Sequence, residues 1–258
     1  MRIAMIQMEV KAGDVEENRH RGLTLARQAA LQAEVLVLPE IWTTGYRLKD
    51  LDSWAEEAEG PLLNSLKQIA RQHAVWIITG SVPLRRDQGV YNTMLAISPD
   101  GVVVAQYDKV HMFSLYGEEK YFQPGNKHAL FSLSGTKAGM AICYDIRFPE
   151  LFRLLAVDGA EIVFVAAEWP QVRSDHWRLL NQSRALENQI YVVAVNCVGE
   201  HKGLTFHGHS LVISPEGVIL AEGSDKEEIV VADIDLTLVS RARQAMTIWA
   251  DRRPDLYK

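Results

Sequence analysis

Three polar residues with different chemistry each follow a predicted β-strand. Glu40 ends the run Val-Leu-Val-Leu-Pro-Glu, Lys109 comes three residues after the strand at 102–106, and Cys143 ends Gly-Met-Ala-Ile-Cys. Ligand sites in open α/β sheets gather beyond the carboxyl ends of the strands. We therefore expect these three side chains to contribute to one site.

A carboxylate, an ammonium group and a thiol together could perform acyl transfer. A free thiol has a pKa of about 8.5, so it is mostly protonated at neutral pH. A neighbouring carboxylate could accept that proton during attack and return it to a leaving nitrogen. The ammonium group and the backbone N–H of Tyr144 could stabilise the oxyanion. Taken singly, each residue also has a structural interpretation: an inert buried cysteine, a solvated glutamate and a surface lysine.

The elements that must position these residues occur in the same order twice. The pattern predicts strands at 3–7, 35–38 and 75–79 with a hairpin at 92–97 and 102–106, then strands at 139–143, 162–166 and 190–195 with a hairpin at 209–213 and 218–221. Helices are expected from Val15, Pro61 and Pro149 and over 175–188.

The two predicted hairpins share a turn, Ser-Pro-Asp-Gly at 98–101 and Ser-Pro-Glu-Gly at 214–217. Such turns are common, but here the whole order of elements repeats as well. The sequence therefore predicts an α/β fold, a single α-β-β-α sandwich with two mixed sheets and an internal repeat, in which each sheet carries helices on one face.

Composition limits the classes of function. The chain has 258 residues, of which 48% are hydrophobic and 23% charged, so we expect one globular domain over residues 1–258. The net charge is −6 and no Lys/Arg-rich block occurs, so we expect no nucleic-acid partner. Two cysteines, no signal peptide and no apolar run of about 20 residues favour a cytoplasmic protein that is not bound to membranes.

Several sequence blocks resemble the nitrilase superfamily of carbon–nitrogen hydrolases. They are Leu-Pro-Glu at 38–40, Tyr-Asp-Lys-Val-His-Met-Phe at 107–113, Ile-Cys-Tyr-Asp-Ile-Arg-Phe-Pro-Glu at 142–150 and Arg-Ala-Leu-Glu-Asn-Gln at 184–189. The resemblance implies a Glu40–Lys109–Cys143 triad. It also implies a second site glutamate, which is either Glu118 or its neighbour Glu119. It further implies a homodimer formed through the helices near Cys143 and at 175–188, and no metal or organic cofactor.

Within the superfamily, the Cys143 block and the sequence Ala-Glu-Trp-Pro at 167–170 look most like the ω-amidase group. That group hydrolyses the terminal amide of 2-oxoglutaramate or 2-oxosuccinamate and releases ammonia. A substrate carboxylate is well matched by a bidentate guanidinium, which Arg147 could supply. Arg147 could equally pair with Glu150. We expect four aromatic residues to line the substrate pocket or to belong to the core: Tyr46, Phe113, Tyr144 and Trp169.

Other functions remain open at this point. The chain ends in Arg-Arg-Pro-Asp-Leu-Tyr before its last residue, which is similar to the deaminated-glutathione amidases. The same triad would serve an N-carbamoyl-amine hydrolase, whereas Tyr144 stands where true nitrilases have tryptophan. An inactive binding paralogue is disfavoured because every triad position holds the expected residue type. His207 and His209 lack a third spaced ligand, so we predict no zinc site.

Overall fold

Two mixed six-stranded β-sheets lie face to face in the computed structural model, which describes residues 1–257. The first sheet contains β1 (Arg2–Gln7), β2 (Val35–Val37), β3 (Trp76–Arg86), β4 (Gly89–Ile97), β5 (Val103–Asp108) and β14 (Glu228–Asp233). The second contains β6 (Leu130–Leu133), β7 (Thr136–Ile142), β8 (Ile162–Ala167), β9 (Tyr191–Asn196), β12 (Leu211–Ile213) and β13 (Ile219–Glu222). A separate hairpin is formed by β10 (Val198–His201) and β11 (Leu204–His207).

The strand orders confirm the predicted repeat. The first sheet runs β14-β1-β2-β3-β4-β5 and the second β6-β7-β8-β9-β12-β13. In each, three parallel strands (β1–β3 and β7–β9) are followed by two antiparallel ones, and an antiparallel edge strand flanks the other side.

Helices cover the outer face of each sheet. The α-helices are α1 (Val15–Ala29), α2 (Leu51–Trp54), α3 (Pro61–His73), α4 (Pro149–Val157), α5 (Ser174–Asn188), α6 (Thr237–Ala245) and α7 (Ile248–Asp251). The strands alternate between two cores, as the twofold period of a strand requires. Ile3 and Met5 of β1 face the second sheet, whereas Ala4 and Ile6 pack with residues of α1 and α3. Because α4 and α5 pack on the second sheet, the layers are α-β-β-α, as predicted.

The two matching turns have the same backbone geometry. In each, the serine N–H donates to the carbonyl four residues on, Val102 at 2.9 Å and Val218 at 2.8 Å. The closing glycines, Gly101 and Gly217, have positive φ angles of 71° and 76°. A left-handed residue is needed at this turn position, which is why glycine occupies it in both halves.

The structure also corrects the predicted elements. β3 does not end at Gly80 but continues to Arg86 through an irregularity between Ile78 and Ser81. β12 begins at Leu211, not at residue 209. The sequence interpretation lacked the edge strands β6 and β14, the hairpin β10–β11 and the C-terminal helices α6 and α7. No helix within residues 1–257 is long and apolar enough to cross a membrane.

Candidate active site

The ends of β2, β5 and β7 bring Glu40, Lys109 and Cys143 together, as their positions after strands predict. Glu40 and Lys109 have no exposed surface, and Cys143 is 5% exposed. The Nζ of Lys109 donates to Oε1 of Glu40 at 2.9 Å. The charge of Glu40 is close enough to the Cys143 thiol to influence its pKa. A carboxylate, an ammonium group and a thiol therefore share one buried site.

Glu118, and not Glu119, belongs to this site. Glu118 is fully buried in a short 3₁₀ turn, whereas Glu119 is exposed. Oε1 of Glu118 accepts hydrogen bonds from Lys109 Nζ at 2.8 Å and from the Tyr46 hydroxyl at 2.7 Å. Its Oε2 accepts the backbone N–H of Phe113 at 2.8 Å.

Burial and charge set the protonation of the triad. Burial alone would lower the pKa of Lys109, but the carboxylates of Glu118 and Glu40 outweigh it and raise that pKa above its ordinary value. Burial raises the pKa of Glu40 despite the opposing charge of Lys109. Burial also raises the pKa of the Cys143 thiol, and the negative charge of Glu40 raises it further. Lys109 is therefore charged, whereas the resting cysteine is a neutral thiol.

Cys143 stands at a sharp turn between β7 and a 3₁₀ turn, with a positive φ of 44°. Such a conformation is costly for a residue with a side chain and is concentrated at functional sites. Asp145 holds this turn: it accepts the backbone N–H of Ile142 at 2.8 Å and the hydroxyl of Tyr107 at 2.7 Å. Because Tyr107 lies in β5, Asp145 ties the Cys143 turn to the strand that precedes Lys109.

The second cysteine lies outside the cavity beside Cys143. Cys197 is fully buried among apolar residues of the first sheet's outer core. Burial raises the pKa of its thiol too. Position, and not thiol acidity, therefore distinguishes the two cysteines.

A small cavity opens onto Cys143. It is lined by Tyr46, Phe113, Tyr116, Cys143, Tyr144, Arg147, Glu168, Trp169, Pro170 and Arg173. All of the predicted substrate-contacting residues are among these. The sequence reasoning missed Tyr116, Pro170 and Arg173, which follow no strand directly, and assigned no function to Glu168.

Two arginines in the cavity wall have no carboxylate partner within residues 1–257. The guanidinium of Arg147 lies 4.8 Å from the ring centroid of Trp169, and that of Arg173 lies 5.8 Å from the centroid of Phe113. The alternative ion pair between Arg147 and Glu150 is not formed in the part of the chain described. Arg147 Nη2 instead lies 3.3 Å from Nδ1 of His176.

Two further residues contact Glu40 and were not predicted. Asn92, inside β4, donates from Nδ2 to Oε1 of Glu40 at 2.9 Å. Glu168, directly after β8, donates its backbone N–H to Oε2 at 3.0 Å. Glu168 has the same strand-end position that identified Glu40, so that signal could have revealed it. Asn92 has no such local signal, because only strand pairing brings it to the site.

The histidines considered for zinc do not form a metal site. His207 ends β11, and His209 lies outside a strand with a positive φ of 53°. Nδ1 of His209 is 3.0 Å from Oε1 of Glu222. Between residues 1 and 257, no group of three or more His, Cys, Asp and Glu side chains is arranged to hold a metal ion.

Comparison with known proteins establishes the class. The model of the carbon–nitrogen hydrolase family matches residues 2–244, and the chain belongs to this family. It is 42% identical to the 2-oxoglutaramate amidase of Bacillus subtilis strain 168 over 99% of this chain and 98% of that protein. It is 33% identical to omega-amidase NIT2 of Homo sapiens over 99% and 96%. The protein is therefore an enzyme that hydrolyses carbon–nitrogen bonds in amides, with a catalytic cysteine.

Solved structures agree with this assignment. The carbon–nitrogen hydrolase superfamily protein XC1258 of Xanthomonas campestris, with an arsenic adduct in its active site, matches with a TM-score of 0.92 and 30% identity, covering 98% of this chain and 97% of that one. An amidase variant from Nesterenkonia sp. AN1, with acrylamide added at its active-site cysteine, matches with a TM-score of 0.86 and 27% identity, covering 100% and 98%.

Proposed function

We propose that this enzyme removes the terminal amide of a small acid amide, with 2-oxoglutaramate as the substrate and ammonia as a product. The observation that carries this proposal is the pair of guanidinium groups of Arg147 and Arg173, which face the Cys143 cavity without a carboxylate partner among residues 1–257. A substrate carboxylate would supply the missing anion. The likeness to the 2-oxoglutaramate amidase of Bacillus subtilis supports the same substrate.

In the first half-reaction, the Cys143 sulfur attacks the amide carbon. Because the resting thiol is protonated, Glu40 takes its proton as the carbon–sulfur bond forms. Negative charge then develops on the amide oxygen. The ammonium group of Lys109 and the backbone N–H of Tyr144 stabilise this oxyanion.

Collapse of the tetrahedral intermediate breaks the carbon–nitrogen bond. Glu40 passes its proton to the leaving nitrogen, ammonia departs and a thioester to Cys143 remains. In the second half-reaction, a water molecule attacks the thioester. Glu40 accepts its proton and returns it to the departing sulfur. Glu118 holds Lys109 in place through its hydrogen bond, and the Tyr46 hydroxyl and the backbone N–H of Phe113 also donate to it.

The cavity favours small substrates. The rings of Tyr46, Phe113, Tyr144 and Trp169 form much of its wall. An enclosed, low-dielectric site strengthens the attraction between Lys109 and an oxyanion. A small cavity with aromatic walls favours a short acid amide over a larger substrate such as deaminated glutathione.

Ammonia release from a set of matched amides tests this proposal. We expect the highest kcat/KM with 2-oxoglutaramate and much lower values with pentanamide, deaminated glutathione and N-carbamoylputrescine. Cys143→Ala should abolish release, whereas Cys197→Ala is the matched control and should retain it. A preference for pentanamide or N-carbamoylputrescine, or full activity of Cys143→Ala, would refute the proposal.

Two further parts of the proposal concern the whole protein. We propose a homodimer formed through α4 and α5, because Leu154, Leu179 and Leu186 on these helices are 44%, 64% and 53% exposed.

We also propose that the enzyme works in the reducing environment of the cytoplasm. Cys143 and Cys197 are free thiols, and Cys143 must remain so to react.

A further inference from the structure

The carboxyl group of Glu168 takes no part in the mechanism above, although it lies in the same cavity. The residue is 2% exposed and lines the cavity together with Cys143. Its backbone N–H donates to Glu40, which fixes the residue beside the catalytic centre. Its Oε2 is buried and has no hydrogen-bond partner within residues 1–257. A buried polar atom without a partner is costly, so it requires an explanation.

We propose that Glu168 is a specificity-determining residue whose free Oε2 donates a hydrogen bond to a neutral carbonyl oxygen of the substrate, other than that of the reacting amide. This inference rests on the proposed function, because the 2-oxo group of 2-oxoglutaramate is such an oxygen. Simple aliphatic amides lack it.

The surroundings of Glu168 make it a donor. The single positive charge of Lys109 is already shared by Glu40 and Glu118. Burial raises the pKa of Glu168 well above its ordinary value, and the charge of Glu40 raises it further. A neutral carboxyl group has one O–H donor, and Oε2 is the oxygen that lacks a partner.

The other polar groups of the cavity leave one type of substrate atom unmatched. Lys109 and the Tyr144 N–H serve the reacting carbonyl. The half-buried guanidinium groups of Arg147 and Arg173 suit a carboxylate at the outer end of the substrate. A neutral donor in the interior then suits a neutral acceptor. A site built to hydrogen bond to a substrate group discriminates strongly against analogues that lack it.

Glu168→Met tests this proposal with two substrates that differ only in the oxo group, 2-oxoglutaramate and glutaramate. The contact with Glu40 survives because the backbone makes it. We expect kcat/KM for 2-oxoglutaramate to fall about tenfold, the size of a lost hydrogen bond, and that for glutaramate to change less than about twofold. Glu168→Gln keeps an N–H donor and should preserve most of the preference. If the longer apolar side chain of Glu168→Met impairs folding, Glu168→Ala takes its place, and we expect the same loss from it.

The outcomes are distinguishable. A wild-type enzyme that prefers neither acid amide to pentanamide refutes the proposed function before any variant is made. A wild-type enzyme that prefers 2-oxoglutaramate, with the same preference in Glu168→Met and Glu168→Ala, refutes the role of Glu168 alone. Equal losses for both substrates in these variants refute it as well, because Glu168 would then act on the reacting amide or on Glu40.

Discussion

Lys109 pairs with two buried carboxylates, and this arrangement fixes the position of its positive charge. Its Nζ lies 2.9 Å from Glu40 and 2.8 Å from Glu118. An isolated buried ammonium group would tend to lose its proton. Here the paired carboxylates keep it charged and hold it in one position. Electrostatic stabilisation of an oxyanion depends on such prior positioning, since no reorganisation is then needed during the reaction.

Replacing Glu118 by glutamine should therefore impair catalysis. Glu118→Gln retains the size of the side chain but removes one of the two charges that hold Lys109. We expect kcat to fall on the order of 100-fold, comparable with the loss of an oxyanion donor. Glu119→Gln is the matched control: its neighbouring carboxylate is exposed, so kcat should stay within about twofold. Equal kcat values for the two variants would show that Glu118 has no special role.

The pH dependence of Cys143 alkylation should report the pKa of Glu40. Because the thiol is neutral at rest, attack on iodoacetamide requires ionised Glu40 as the base. Burial raises the pKa of Glu40 above its ordinary value of 4.5. The labelling rate should therefore be high at neutral pH and fall as pH decreases through that raised pKa.

Glu40→Gln provides the comparison for this pH profile. Without the carboxylate, the neutral thiol has no base, so labelling at neutral pH should become slow and should rise only at alkaline pH. Cys197 should label slowly in both proteins, because it is fully buried. Mass spectrometry of the two cysteine peptides gives both rates. Wild-type labelling that simply increased with pH, as for an isolated thiol, would contradict the proposed role of Glu40.

At the scale of elements, Gly80 allows β3 to pass the turn that carries Glu40. Its φ is 61°, and a Cβ atom there would lie 2.0 Å from the carbonyl oxygen of Pro39. Next to it, Ser81 donates its N–H to Pro39 at 2.9 Å, and its hydroxyl accepts the N–H of Ile41 at 2.9 Å. The irregularity in β3 thus holds both residues that flank Glu40.

Gly80→Ala should consequently lower both stability and activity. Strain from the positive φ and displacement of Pro39 should together reduce the free energy of unfolding by more than about 2 kcal/mol. Gly203→Ala is a suitable control: its φ is 77°, but a Cβ atom there would meet no atom within 4 Å. It should cost only about 1 kcal/mol, and kcat should be unchanged. Urea denaturation and ammonia release measure the two effects. Similar losses in both variants would mean that the close approach to Pro39 is unimportant.

The same region shows what the sequence could and could not predict. Apolar runs and strand-end positions correctly indicated β1, β2 and β8 and the grouping of Glu40, Lys109 and Cys143. Gly80 suggested a strand end, because the sequence does not reveal that the residues before and after this irregularity both pair with β4. Strand β14 was missed because its partner is distant: Arg2 pairs with Asp233. Asn92 was missed for a similar reason, since it reaches Glu40 only through the pairing of β4 with β3.

At the scale of the whole molecule, the site exists only where the two halves meet. Glu40 and Lys109 follow strands of the first sheet, whereas Cys143 and Glu168 follow strands of the second. The C-terminal strand β14 joins the halves, because it follows the second sheet in the chain but pairs with β1 of the first. A shift of one sheet relative to the other would separate the thiol from its base.

The proposed dimer would cover the outer helices of the second sheet, and its disruption should leave the fold intact. Leu179 of α5 is 64% exposed, so a charge there costs the monomer little but would be buried without a partner between two copies. We expect the wild-type protein to sediment as twice its mass of 29.0 kDa and Leu179→Glu to sediment largely as a monomer.

Leu31→Glu provides the control for this prediction. Leu31 is 77% exposed and lies after α1, in the half of the chain that forms the first sheet. Its replacement should leave the dimer unchanged. Both variants should keep a melting temperature close to that of the wild-type protein. Analytical ultracentrifugation across the micromolar range gives the masses. A monomeric wild-type protein, or a dimer that tolerates Leu179→Glu as well as Leu31→Glu, would place the contact elsewhere or exclude it. Because Arg147 lies two residues before α4 and Arg173 lies directly before α5, a dimer through these helices would also steady the guanidinium groups that we assign to the substrate carboxylate.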